Sequence, residues 1–297
     1  MSKDSTKLIT YRLSLITLLF LFLLQSCFTP TEGCLDINAT NFDASADEQC
    51  ESCCNFPQLR LTVFHSVVTE SSSGADSCIN HSSSFPLTNN GGDNVFQINT
   101  MSFYLSDFQL VMVDGTIKEV DDTITLSIFE DVISQISKDT LVKDDFVLVE
   151  RSQPSYTVGN FTGPGAYLQV NFKVGISSAL STTDVDTLAI SHPLSSSEGM
   201  HFGARDTGFI LQNFSIVNDT ATSLTAITNY EIGKDDFNTI PVELDFLRNF
   251  EPGFDITIPL KVNYSKWLEG INFATDDEAT IKAMIVSNTA EAFEIDE

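Results

Sequence analysis

Side chains able to hold a soft metal are few in this chain: four His, five Met and six Cys among 297 residues. Imidazole, thioether and thiolate are the donors that suit copper and zinc, whereas calcium and magnesium prefer oxygen. The imidazoles are His65, His81, His192 and His201; the thioethers of interest are Met101 and Met200, the latter directly preceding His201. A lone His in a polar loop is more often surface-exposed or hydrogen-bonded than a ligand, and His81 and His192 read that way. The cysteines Cys27, Cys34, Cys50, Cys53, Cys54 and Cys78 all fall near the N-terminus. The run Cys50-Glu51-Ser52-Cys53-Cys54, with Cys34, offers either four thiolates to zinc or half-cystines in an oxidising compartment. Vicinal Cys53 and Cys54 are strained as a pair and are expected to reach different partners.

Other chemistries find little support. Carboxylates are abundant, 41 Asp and Glu against 15 Lys and Arg, so a pair of them proves nothing about glycoside hydrolysis. The chain has no HExxH, GxSxG, Walker or GxGxxG pattern, and it reads as a non-enzyme. The runs Asp121-Asp122, Asp144-Asp145, Asp235-Asp236 and Asp276-Asp277 are expected to be solvated turns, with a Ca²⁺ site at one of them as the alternative. A formal charge of −26 repels nucleic acid and anionic lipid alike.

The segments that carry these residues divide the chain into three. Residues 1–26 place Lys3, Lys7 and Arg12 before an apolar run ending at Leu24, the pattern of an export signal. That run falls short of the roughly 20 apolar residues a spanning helix needs. Leu24-Gln25-Ser26-Cys27 resembles a bacterial lipobox, which implies lipid on Cys27 and attachment to the membrane through that lipid. Residues 27–56 form a small Cys-rich segment. Residues 57–297 alternate apolar and polar positions, as in Leu59-Arg60-Leu61-Thr62-Val63, 166–174 and 256–264. Asp114-Gly115, Gly163-Pro164-Gly165 and Glu251-Pro252-Gly253 punctuate them as turns. The expected fold is all-β, an antiparallel β-sandwich with long loops at 70–94 and 177–199. Short helical turns are expected at 131–136 and 276–283.

Two resemblances add to this reading. Residues 33–50, from Gly33-Cys34-Leu35-Asp36 through Asn41-Phe42-Asp43 to Cys50, resemble a short module of Bacteroidetes-type surface proteins. It implies a Cys34–Cys50 disulfide around a small loop, with Asp36, Asp43 and Asp47 capping turns or holding Ca²⁺. Further on, 99–108 with its Phe103-Tyr104-Leu105-Ser106-Asp107-Phe108, 165–175, 199–209 with Met200-His201-Phe202, 265–270 and 288–293 resemble, in order, the motifs of the MbnP-like domain. That family implies a copper-binding envelope protein, sometimes with an oxidised Trp at the metal and a dihaem peroxidase partner. Here Arg205 stands at one of its Trp positions, and the sole Trp, Trp267, lies in the closing motif.

The resemblance makes Met200, His201 and His65, at the end of the opening strand, the expected copper ligands. The expected protein is a metal-handling lipoprotein of the bacterial outer membrane, serving a transporter or peroxidase. The alternative is a structural or adhesive lipoprotein without metal. The two differ in whether His65, His201 and Met200 converge.

Overall fold

In the computed structural model, residues 29–68, 76–78, 85–88, 95–202, 208–218, 227–237 and 239–296 are described. The chain divides into two compact units: residues through Ile37 with Asn41–Asn55, and Asn38–Thr40 with Phe56–Glu297. Among the described residues no helix is long and apolar enough to cross a membrane.

In the first unit β1 (Glu32–Gly33) and β2 (Glu48–Gln49) pair in parallel. Its carboxylates tie turns: Asp43 Oδ1 accepts from the Ser45 N–H and hydroxyl at 2.9 and 2.6 Å, and Asp47 Oδ2 from the Thr31 N–H at 3.0 Å. The hydrogen bonds from Ser45 hold the Asp43 carboxyl below its ordinary value. Asp43 therefore caps a local turn, whereas Asp47 ties its segment to Thr31, sixteen residues earlier.

The second unit contains β3 (Gln58–Val68), β4 (Asp76–Cys78), β5 (Phe85–Thr88), β6 (Val95–Met112), β7 (Ile117–Glu119), β8 (Thr123–Asp131), β9 (Ile136–Lys143), β10 (Val147–Glu150), β11 (Ser155–Asn160) and β12 (Gly165–Gly175). After a loop come β13 (Ile210–Asn218), β14 (Ile227–Gly233), β15 (Thr239–Phe250), β16 (Ile256–Asn263), α1 (Tyr264–Trp267), α2 (Glu278–Asn288) and β17 (Phe293–Ile295). The larger sheet runs β14-β13-β6-β12-β15, with β5, β7 and β10 also on the long β6. The smaller runs β11-β3-β16-β17, with β4 on β3; β8 and β9 form a separate hairpin. All these pairs are antiparallel except β3 with β16.

Alternation decides which face each side chain takes. Leu59, Leu61 and Val63 of β3 and Ile256, Ile258, Leu260 and Val262 of β16 are buried in the core between the sheets. Phe103 and Leu105 of β6 and Val147 and Val149 of β10 meet them, while the intervening Tyr104 and Leu148 join a second cluster on the other face of the large sheet. Phe293 of β17 lies edge-on to Phe103 and Phe172, which closes the two sheets onto each other.

Several expectations change. Leu168, expected inside with Val170 and Phe172, is 45% exposed, and Tyr167 is buried instead. A register shift between Tyr167 and Gln169 adds a residue there and inverts the alternation. The 131–136 turn is a hairpin rather than a helix, with Asp131 Oδ1 accepting from the N–H groups of Ile133 and Ser134. The 70–94 segment carries β4 and β5, and 177–199 carries three 3₁₀ turns. α2 forms as expected, with Asp277 accepting from the Thr280 N–H at 2.7 Å.

Candidate metal centre

Cys27, His81 and Arg205 lie outside the described residues. Of the other cysteines, Cys34 pairs with Cys54 and Cys50 with Cys53, at Cα separations of 5.1 and 5.7 Å. The expected Cys34–Cys50 bridge is thus replaced by a swap among four neighbouring sulfurs. Gln49 Nε2 sits 3.2 Å from Cys54 Sγ and 4.0 Å from Cys50 Sγ, so the two bridges lie side by side. The reason is the turn after Cys50. It folds Cys53 back onto Cys50 and carries Cys54 to Cys34, a proximity that the spacing within 33–50 does not reveal. With all four sulfurs oxidised, none is a thiolate for zinc.

His65 is an inward-facing residue of β3, 2% exposed, opposite Val262 in the parallel pair. Its Nδ1 lies 2.5 Å from the hydroxyl of Tyr264, the first residue of α1, and the two rings stack at 5.6 Å. Asn263 starts that helix by accepting from the Ser265 and Lys266 N–H groups, which turns Tyr264 into the core. Burial holds the Tyr264 hydroxyl far above its ordinary range. Arg151, 8% exposed, donates to the Ile98 carbonyl at 2.7 Å, and burial lowers its pKa.

Met200 and His201 stand elsewhere. Met200 is 2% exposed in the cluster on the far face of the large sheet, with Tyr104, Leu194 and Phe209. His201 is half-buried, edge-on to Phe209 at 5.2 Å and bridged to it through the backbone. Burial lowers the His201 pKa, against the pull of a Phe202 backbone hydrogen bond and the Asp186 carboxylate. The imidazole is therefore neutral at neutral pH, the form that ligates metals.

The expected trio does not assemble. His65 stacks on a residue of the core between the sheets, whereas Met200 belongs to the core beyond the large sheet. His65 is on β3 of the smaller sheet, whereas Met200 lies in the loop before β13, where its carbonyl accepts from the Ile210 N–H at 3.0 Å. Among the described residues no three His, Cys, Asp or Glu side chains gather as a metal site, for copper or for calcium. Trp267 is also remote in character from an oxidised ligand. It is fully buried, donates to Thr289 Oγ1 at 3.2 Å, and is flanked edge-on by Phe103, Phe214 and Phe293. His192 accepts the Leu194 N–H on Nδ1 at 3.1 Å, a local loop tie.

Sequence reasoning missed one group. Asp145, expected in a solvated turn, is 4% exposed and takes backbone N–H groups of Asp107 and of its own residue. Burial first, then the nearby Asp107 carboxylate, push its carboxyl up to about 6. It faces a cavity of about 370 Å³ between the outer face of β6, β12 and β15 and the β7–β10 segment. A run of two Asp after an alternating strand carried no signal of burial.

The sequence matches the MbnP family over residues 58–285. Among solved structures, MbnP from Methylosinus trichosporium is similar at 13% identity and a TM-score of 0.40, over 73% of this chain and 78% of that one. No curated protein matches.

Proposed function

The chain belongs to the MbnP family, and from that premise we propose that it is a lipid-anchored binding protein of the bacterial outer membrane, without enzymatic activity, whose cargo is copper for uptake or handling. Family membership is the observation that carries this reading. The lipobox-like Leu24–Cys27 segment supports the anchor, and two or three acyl chains on Cys27 would hold the protein stably where one would not. An outer-membrane transporter and a dihaem peroxidase are the partners that the family suggests. Of the three residues named from the sequence, His201 keeps the form of a ligand: half-buried, neutral, and outside the sealed core. No transfer step is assigned to the trio, because its members do not meet.

A metal-free structural or adhesive lipoprotein is the second reading. The burial of Met200 among apolar side chains and the commitment of His65 to Tyr264 favour it.

Titration of the full processed chain with Cu(I) against a competing chelator separates the two. The copper reading expects tight binding that His201→Ala weakens and His192→Ala leaves alone. Absence of binding in the wild type decides for the second reading. The anchor is read separately: Cys27→Ser should release the protein from the membrane fraction of a bacterial host, and retention there would end that assignment.

A further inference from the structure

The cavity beside Asp145 lies apart from the histidines, and nothing above uses it. We propose that it binds a small organic cation, a primary amine or guanidinium compound about the size of a basic amino acid.

Its walls have more acceptors than donors. Asp107, Glu119, Asp145 and Glu243 line it against Lys143 and Lys173. Both ammonium groups are already engaged. Lys173 Nζ sits 2.7 Å from Asp107 Oδ2, and Lys143 pairs with Glu119, whose other oxygen accepts from Gln109 Nε2 at 2.7 Å. Asp145 and Glu243 are left without an ion pair at contact distance among the described residues. Asp145 has only N–H donors from the backbone, and Lys143 acts on it from farther away. Glu243 has only the Gln169 amide, at 3.2 Å. Beside them the shielded Oδ1 of Asn171 has no hydrogen-bond partner. A buried acceptor in that state is rare and calls for a donor.

The backbone is shaped to this arrangement. Asp107 has φ of +55°, in the left-handed region, at the register shift between β6 and β12 opposite Asn171 and Lys173. Asp tolerates that conformation better than most residues, yet it remains strained. The strain directs the Asp107 N–H at the Asp145 carboxylate while its own carboxylate reaches Lys173. Bulges that re-aim a side chain recur beside binding sites.

The ligand class follows from what the walls lack. An ammonium or guanidinium group supplies several N–H donors and a positive charge, which the Asp145 carboxylate, the Glu243 carboxylate and Asn171 Oδ1 can share. The surplus of negative charge opposes an anion. A bare metal ion is disfavoured because the four carboxylates do not gather into a ligand set. The volume also suits a small organic molecule and not a single ion.

Isothermal titration of the full chain with cadaverine and with L-arginine tests this, with glucose and calcium chloride as controls. One amine should bind at one site. Glu243→Gln, at an exposed position, and Asn171→Leu should each weaken it by about tenfold or more. Asp145→Asn should do the same, with thermal unfolding followed alongside to show that it stays folded. Silence with both amines, unchanged affinity in Glu243→Gln and Asn171→Leu, or binding of calcium alone would each overturn the proposal. Copper plays no part in these measurements, so their outcome is independent of the copper reading.

Discussion

The imidazole of His65 and the phenol of Tyr264 lie nearly parallel, 13° apart, with Nδ1 at 2.5 Å from the hydroxyl. One stands on an early strand and the other on a late helix, and both are sealed from solvent. The pair therefore belongs to the mechanics of the core. Tyr264→Phe should lower stability by about 1–3 kcal/mol, because a buried polar atom loses its partner. Urea unfolding measures it. His65→Ala should likewise destabilise while leaving Cu(I) affinity unchanged; a loss of affinity in a fully folded His65→Ala protein would return His65 to the metal site.

Peptide mapping of the unreduced protein should recover Cys34 linked to Cys54 and Cys50 linked to Cys53. Removing the longer bridge with Cys54→Ser should cost about 3 kcal/mol in the chain-entropy account of a 20-residue separation. Recovery of Cys34 linked to Cys50 would reverse this connectivity.

Asp145 predicts a pH dependence of defined sign. Its native pKa of about 6 exceeds the ordinary 3.8, so the folded protein holds a proton that the unfolded chain has released. The associated stability is complete below the lower value and is lost as pH rises through the higher one, on the order of 2–3 kcal/mol in all. Asp145→Asn should flatten that slope. The difference between the urea unfolding curves of wild type and variant across the window isolates it from Asp144 and Glu150, which burial shifts in the same direction.

The register shift in β12 gives two apolar residues of that strand opposite consequences. Phe172→Ala should cost about 3–5 kcal/mol, as for other buried aromatics. Leu168→Ser should stay within about 0.5 kcal/mol, because that side chain faces outward. Equal losses at both positions would place Leu168 inside.

These cases show what could be read in the chain beforehand. Leu59, Leu61, Val63 and the β16 residues lie where period-2 alternation puts them, since an uninterrupted strand offers no other choice. Leu168 escaped because one extra residue inverts the pattern without altering composition. His65 departs from expectation for a related reason. Its position in the alternation, in phase with Val63, already pointed inward, but the chemistry of imidazole suggested a ligand. The separation of His65 from Met200 depends on the parallel pairing of β3 with β16 and on the course of the loop before β13, neither of which is written in the local sequence. The burial of Asp145 follows from the strained bend at Asp107 on another strand, a partner with no trace in the local sequence.

The parallel pairing of β3 with β16 has a consequence for the order of folding. Gln58 of β3 meets Asp255 across 197 residues of chain, and β11, on the other side of β3, arrives some hundred residues earlier. The first long strand thus waits, half its backbone donors and acceptors unmet, until nearly the whole polypeptide is available. A shortened chain ending before residue 256 would hold an open edge where the finished one has an interior strand, and such an edge invites pairing with other chains. Completion of the C-terminal segment is what converts β3 from a liability in association into the centre of its sheet.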